Sequence, residues 1–156
     1  MEVTRTAISE IPPALFLQRS ALAYLLVNAA HIASLGLLVG SVITLDLRLL
    51  GAFQTVPLSG AWGMLTRMAA LGLVLAVLTG ALLFSVNAPG YVHNRAFQIK
   101  LCLMVAAVLN ALCLHRRASS MLRHDLGLTV SIKLHAALSV ALWLSVLLAG
   151  RWIGFL

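Results

Sequence analysis

The sequence predicts an all-α integral membrane protein, an up-down bundle of four spanning helices. Of its 156 residues, 62% are hydrophobic and only 10% are charged, whereas about a quarter of the residues in soluble domains are charged. Mean hydropathy is +1.03. Four apolar runs alternate with short polar segments, and each run approaches or exceeds the roughly 20 residues that a spanning helix needs. Short connections make successive helices antiparallel. A chain of this length has no room for a second domain, so we expect a single transmembrane domain over residues 1–156.

The apolar runs and the breakers between them set the expected helix bounds. Ahead of the first run, Pro12 and Pro13 precede a short apolar stretch that predicts an interfacial helix. Asp46 lies at the end of the first run, so we expect it at the membrane interface and expect no acidic residue inside a helix core. The four spanning helices are predicted at residues 22–47, 64–86, 97–115 and 129–153.

Small residues recur at four-residue spacing in the first two runs. Gly36 and Gly40 form a GxxxG pattern in the first helix, and Gly72, Ala76 and Gly80 continue the same spacing in the second. Such spacing lets two helix backbones approach closely in a membrane. Both stripes are therefore predicted to pack against neighbouring helices.

The formal net charge is +7. In a chain this apolar, basic residues between helices usually set topology and contact anionic lipid, so a nucleic-acid partner is not expected. The first and third loops carry slightly more basic residues than the opposite side. This distribution favours cytoplasmic first and third loops, with both termini outside the bacterial inner membrane.

Among the ionisable residues within or at the ends of the apolar runs, four are candidates for a functional site: His31, Lys100, His115 and His135. An ionisable group inside a membrane helix is costly and is a functional hypothesis by default. At about 1.5 Å per residue, His115 and His135 lie at similar depths, whereas His31 and Lys100 lie toward the termini. Two imidazoles at one depth on different helices could bind the iron of a b-type haem from opposite faces.

We therefore predict haem b as a cofactor, with His31, His115 and His135 as the pool of metal ligands and Lys100 pairing with a propionate. The predicted function is electron transfer, with quinone or a redox protein as candidate partners. A haem-free structural or accessory subunit is the alternative, and a metal transporter, for example of copper through His31, Met64 and Met68, is a third. The haem interpretation requires two histidines to face one cavity. Whether the protein is an enzyme, and its oligomeric state, are left open.

Four segments have a recognisable pattern: residues 31–40 (HIASLGLLVG), 45–51 (LDLRLLG), 96–101 (AFQIKL) and 149–151 (AGR), together with Asn110, His115, Arg116 and Trp143. These segments resemble a family of small bacterial four-helix membrane proteins of unknown function. The resemblance covers nearly the whole chain and does not itself imply an activity. Where that family often has an acidic residue three positions before the first-helix histidine, this chain has Asn28.

A more remote resemblance concerns short motifs only. His31 followed by a glycine-rich stretch, a DLRL end to the first helix, and Lys100 in the third helix are similar to the haem-containing protoporphyrinogen oxidase and to the copper-resistance D-type membrane proteins. The first of these likenesses implies haem ligation or substrate chemistry at His31, with Lys100 nearby.

Overall fold

The protein is helical throughout the part of the chain that the computed structural model describes, residues 12–55, 57–124 and 129–152. Four of its helices, the second, third, fifth and sixth, are long and apolar enough to cross a membrane. The predicted all-α membrane bundle is therefore confirmed. The helices are α1 (Pro12–Arg19), α2 (Ala21–Leu50), α3 (Leu58–Val86), α4 (Ala88–His93), α5 (Arg95–His124) and α6 (Val130–Trp152).

The first spanning helix begins and ends at residues suited to those positions. Ser20 precedes α2, and its hydroxyl accepts a hydrogen bond from the Ala23 backbone N–H at 3.3 Å. Gly51 follows α2 with φ of +109°, a left-handed conformation that glycine adopts without steric penalty. The Gly51 and Ala52 N–H groups then bond the last carbonyls of the helix, which otherwise lack partners.

Three spanning helices are longer than the apolar runs predict, α2 by a few residues and α3 and α5 by more. The α3 helix begins at Leu58, directly after Pro57, because proline is tolerated at a helix start. The α5 helix continues to His124 instead of ending at residue 115. Arginine is a good helix former, and Arg117 Nη1 donates to Ser131 Oγ at 2.7 Å, which ties this extension to α6. Residue 153, the expected end of α6, lies outside the described residues.

Two short helices cover one end of the bundle. The α1 helix packs on α2 and α3, and Gln18 Nε2 donates to the Val86 carbonyl at the end of α3. Asn87 precedes the α4 helix and caps it, because its side chain accepts from the Gly90 N–H. Asn94 accepts in the same way from the first residues of α5. This end of the bundle is thus held by polar contacts at helix ends.

The small-residue stripe on α3 forms the closest helix contact. A Cβ placed on Gly72 would lie 2.6 Å from the Leu38 backbone nitrogen on α2, so only glycine allows this approach. The predicted α3 seam is confirmed. The α2 stripe makes no such approach within the described residues, because a Cβ on Gly36 or Gly40 would meet nothing within 4 Å.

The four spanning helices form a row that does not close into a ring. The α3 helix packs on α2, α2 also packs on α6, and α6 packs on α5. Among the described residues, the backbones of α3 and α5 make no extended contact with each other. One buried cluster around Leu38, Ala107 and Trp143 fills the centre of the bundle. The outer surface is lined by exposed leucines and valines, as expected for contact with lipid.

Candidate functional site in the cleft between α3 and α5

The gap between α3 and α5 is bridged by aromatic pairs at its two ends. At one end Trp62 of α3 stacks on His115 of α5, with ring centroids 5.3 Å apart and an interplanar angle of 18°. At the other end Phe84 stacks on Phe97 at 5.5 Å. Between these pairs lies a partly open space, here called the cleft. It contains two cavities, both of which have Leu38, Leu73 and Trp143 among their lining residues.

The larger cavity, of about 490 Å³, is here called the Lys100 cavity. Its walls are mainly apolar, and its few polar groups include Lys100 of α5 with His31 and Asn28 of α2. A Cβ on Gly150 of α6 would lie 3.5 Å from Lys100 Nζ. The lysine side chain therefore lies against the neighbouring helix α6.

The Lys100 ammonium has no carboxylate beside it among the described residues. Asp46 is the only acidic residue in the described part of the chain, and it lines the other cavity. Another ionisable group in this cavity is the His31 imidazole, which lies close enough to Lys100 for an electrostatic interaction. The Lys100 cavity is thus electropositive.

His31 is held in one orientation by α3. Its Nδ1 lies 2.9 Å from Thr79 Oγ1, and that hydroxyl donates to the Leu75 carbonyl at 2.6 Å. The hydroxyl therefore accepts from His31 Nδ1–H, and in the neutral imidazole Nε2 is left as an acceptor. The ring also packs on Gly80, where a Cβ would lie 3.1 Å from His31 Cε1.

Tyr91 of α4 also lines the Lys100 cavity, and its ring packs against Phe84 and Phe97. Burial raises the pKa of Tyr91 above its usual value, and neighbouring Tyr24, with which it shares a hydrogen bond, raises it further. The phenol therefore stays neutral at physiological pH and can both donate and accept a hydrogen bond.

The smaller cavity, of about 330 Å³, is here called the Asp46 cavity. Asp46 is only 1% exposed, so the expectation that no acidic residue lies in the interior of the bundle is wrong. The α2 helix runs on to Leu50, and this places Asp46 among α3 and α6 side chains. Its charge inside an apolar run was the signal that could have identified it as buried, but its position near the end of that run indicated only its depth.

The sequence model of one protein family, described as a family of unknown function (DUF6644), matches residues 20–156. The chain belongs to this family. No curated protein and no solved structure matches the sequence. The likeness to the protoporphyrinogen oxidase and copper-resistance proteins has no support from these comparisons.

In this DUF6644 member, the three predicted haem ligands do not meet. His31 lines the Lys100 cavity, His115 lines the Asp46 cavity, and His135 is not part of the lining of either. His135 Nδ1 instead bonds the Ser131 carbonyl of its own helix at 2.8 Å. A bis-histidine haem needs two imidazoles at one iron, and neither of the two described cavities has two of these histidines in its lining. Haem ligation stays a prediction.

Within the described residues of the family member, no three histidine, cysteine, aspartate or glutamate side chains are close enough to hold a metal ion. Met64 and Met68, suggested as copper ligands with His31, are 60% and 38% exposed and do not line its cavity. Of the four ionisable residues proposed from the sequence, His31 and Lys100 are the two that line one cavity together.

Proposed function

We propose that this multi-pass membrane protein binds a lipid-soluble quinone in the Lys100 cavity. The observation that carries the proposal is the Lys100 ammonium, which lies in an apolar cavity without a carboxylate partner among the described residues. A quinone carbonyl oxygen is the kind of acceptor that such a group lacks. The cavity volume of about 490 Å³ lies within the range of ordinary small-molecule sites, which are mainly apolar with few polar groups.

The surroundings of Lys100 match the two oxidation states of a quinone ring. The ammonium donates to a carbonyl oxygen of the oxidised ring. His31 Nε2 can accept from a hydroxyl of the reduced ring, since its Nδ1 is engaged by Thr79. Phe84, Phe97 and Tyr91 offer aromatic surface at the end of the cavity. An isoprenoid tail can leave through the gap between α3 and α5 into the lipid.

Electron transfer through haem b in the bacterial inner membrane is the finer interpretation that the sequence suggests. It receives less support from the geometry, because His31, His115 and His135 do not converge. An optical spectrum of the purified protein, oxidised and then reduced with dithionite, tests haem binding separately from quinone binding. The haem-free accessory role is compatible with a quinone site, which such a subunit could contribute to a larger assembly.

The test is a fluorescence titration with decylubiquinone, because quinones quench nearby indoles and Trp143 lines the cavity. The protein is reconstituted in lipid nanodiscs with Trp62→Phe and Trp152→Phe, which leaves Trp143 as the single tryptophan. We expect saturable quenching, and we expect Lys100→Met to weaken binding at least about tenfold, as for loss of a charged hydrogen-bond donor.

Lys133→Met is the matched control, since Lys133 is exposed on α6 and lines neither cavity. It removes the same charge and should leave the affinity unchanged. Quenching that does not saturate, or equal affinity in Lys100→Met and the parent protein, would overturn the proposal.

A further inference from the structure

The Asp46 cavity holds a charge that the quinone proposal does not use. Asp46 is almost completely buried, and its Oδ2 has no hydrogen-bond partner among the described residues. Ser139 lies beside it, but the Ser139 hydroxyl also lacks a hydrogen bond of ordinary geometry. Burying a polar group without a partner is costly, and burying a carboxylate is more so.

The unpartnered atoms are concentrated in this one place. In the described part of the chain, four buried side-chain polar atoms lack a hydrogen-bond partner, and all four belong to residues that line the Asp46 cavity. They come from three helices, α2, α3 and α6. They are Asp46 Oδ2, Thr66 Oγ1, Ser139 Oγ and Trp143 Nε1. Buried polar groups in native proteins are nearly always satisfied, so this clustering points to a ligand.

The donor and acceptor types define the polar end of that ligand. Asp46 Oδ2, Thr66 Oγ1 and Ser139 Oγ can each accept a hydrogen bond. A primary ammonium group carries three N–H donors and a positive charge, which suits the carboxylate of Asp46, the only described acidic residue, and the Ser139 hydroxyl beside it. The Trp143 indole N–H is a donor and would suit an acceptor atom elsewhere on the ligand.

The rest of the cavity defines the body of the ligand. The accessible walls of the cavity are almost entirely apolar and include the indoles of Trp62 and Trp143. The four unpartnered atoms are enclosed behind these walls, so a ligand reaches them when their side chains turn toward the cavity. Aromatic faces also attract cations. A volume of about 330 Å³ has room for about ten groups the size of a water molecule, so a bare inorganic cation would leave most of the apolar wall uncovered.

We propose that the Asp46 cavity binds a small organic amine, a primary ammonium ion on an apolar or aromatic body of about ten heavy atoms. This is a second site, of opposite charge to the Lys100 cavity and separated from it by the shared residues Leu38, Leu73 and Trp143. Asp46 lies about 16 Å from the midpoint of α2, level with the edge of a hydrocarbon layer about 30 Å thick. An amphiphilic amine accumulates at that depth.

The experiment is isothermal titration calorimetry with 2-phenylethylamine on the full chain in phosphatidylcholine nanodiscs, at constant ionic strength and with empty nanodiscs subtracted. We expect saturable binding, at least about tenfold weaker in Asp46→Asn and about threefold weaker in Ser139→Ala, since bonds to charged groups are the stronger ones. The uncharged analogue 2-phenylethanol should bind at least about tenfold more weakly than the amine.

Lys100→Met should leave amine binding unchanged while it removes quinone binding, so the two proposals can fail independently. If Asp46→Asn does not fold, the comparison of amine with alcohol on the wild-type protein and the Ser139→Ala variant still decide the matter. Equal affinity for amine and alcohol, no loss on either substitution, or saturation by sodium ions that the amine does not displace would overturn the proposal. The last result would identify an inorganic cation site.

Discussion

Gly72 shows at the residue scale how one missing side chain fixes the distance between two helices. Because a Cβ there would lie 2.6 Å from the Leu38 backbone, α2 and α3 must separate to accept any other residue. We expect Gly72→Ala to lower the free energy of unfolding by about 1–3 kcal/mol, the usual penalty for overpacking. Thermal or denaturant unfolding in detergent micelles measures this loss.

Gly36→Ala and Gly40→Ala are the matched controls for Gly72→Ala. Each changes a glycine in the middle of a spanning helix, but its new methyl group meets nothing within 4 Å. These two variants should be as stable as the parent protein or slightly more stable, since alanine favours the helix. Equal destabilisation at all three positions would show that the close approach at Gly72 has no energetic importance.

The same glycines show what a sequence alone can and cannot predict about packing. Both stripes have the spacing that permits close helix contact, but only the α3 stripe is used within the chain. Lipid tails are as apolar as leucine side chains, so the residues around each stripe do not tell which side faces protein. Asp46 illustrates the same difficulty, since its burial depends on where α3 and α6 lie.

At the element scale, Asn110 links two spanning helices by a polar contact. Its side-chain Nδ2 on α5 donates to the His135 carbonyl on α6 at 3.0 Å, and the residue is 9% exposed. Interhelical hydrogen bonds in membranes contribute about 0.6 kcal/mol on average and up to about 1.7. We expect Asn110→Leu to destabilise the protein by an amount in this range, measured by reversible unfolding in mixed micelles.

Ser145→Ala is a suitable control for the Asn110 substitution. The Ser145 hydroxyl donates to the Ala141 carbonyl of its own helix, so its loss removes a polar group without breaking a link between helices. Its effect should stay within about 0.5 kcal/mol, as is usual for substitutions away from such links. A larger loss for Ser145→Ala than for Asn110→Leu would contradict the role assigned to Asn110.

The ends of the helices were predictable where the sequence has strong helix-breaking residues, and they were less predictable where it has none. The end of α2 at Gly51 and the start of the α4 turn at Asn87 follow from glycine and asparagine chemistry. The extension of α5 to His124 was missed because two arginines suggested a membrane boundary, although arginine does not end a helix. Hydrophobicity marks the part of a helix in lipid, whereas the helix itself continues into water.

At the scale of the whole molecule, hydropathy and loop length predict four antiparallel helices but not which neighbours pack. The row α3, α2, α6, α5 leaves α3 and α5 apart, and the cleft arises from this arrangement. The depth of His31 and Lys100 along their helices was predictable from spacing, and the two do share a cavity. The different surroundings of His115 and His135 were not predictable. Residue spacing gives the depth of a side chain, but not the direction in which its helix face points.

The structure also sharpens the prediction of membrane orientation. In the sequence, six basic residues lie on the side of the first and third loops, and five lie on the side of the termini. Lys100 is one of the five on the side of the termini, but its side chain lines a cavity in the cleft. Without Lys100, the numbers of basic residues on the two sides are six and four. The six are Arg48, Arg67, Arg116, Arg117, Arg123 and Lys133, and the four are Arg5, Arg19, Arg95 and Arg151.

Because positively charged loops stay in the cytoplasm, we expect both termini on the outer side of a bacterial inner membrane. Alkaline phosphatase, which folds only outside the cytoplasm, should be active when fused after the last residue and inactive when fused after Thr55 in the first loop. Arg67→Gln combined with Arg116→Gln removes two exposed charges and makes the comparison four against four, so this variant should insert in both orientations. The opposite activity pattern, or no effect of the double substitution, would show that loop charge does not determine how this bundle inserts.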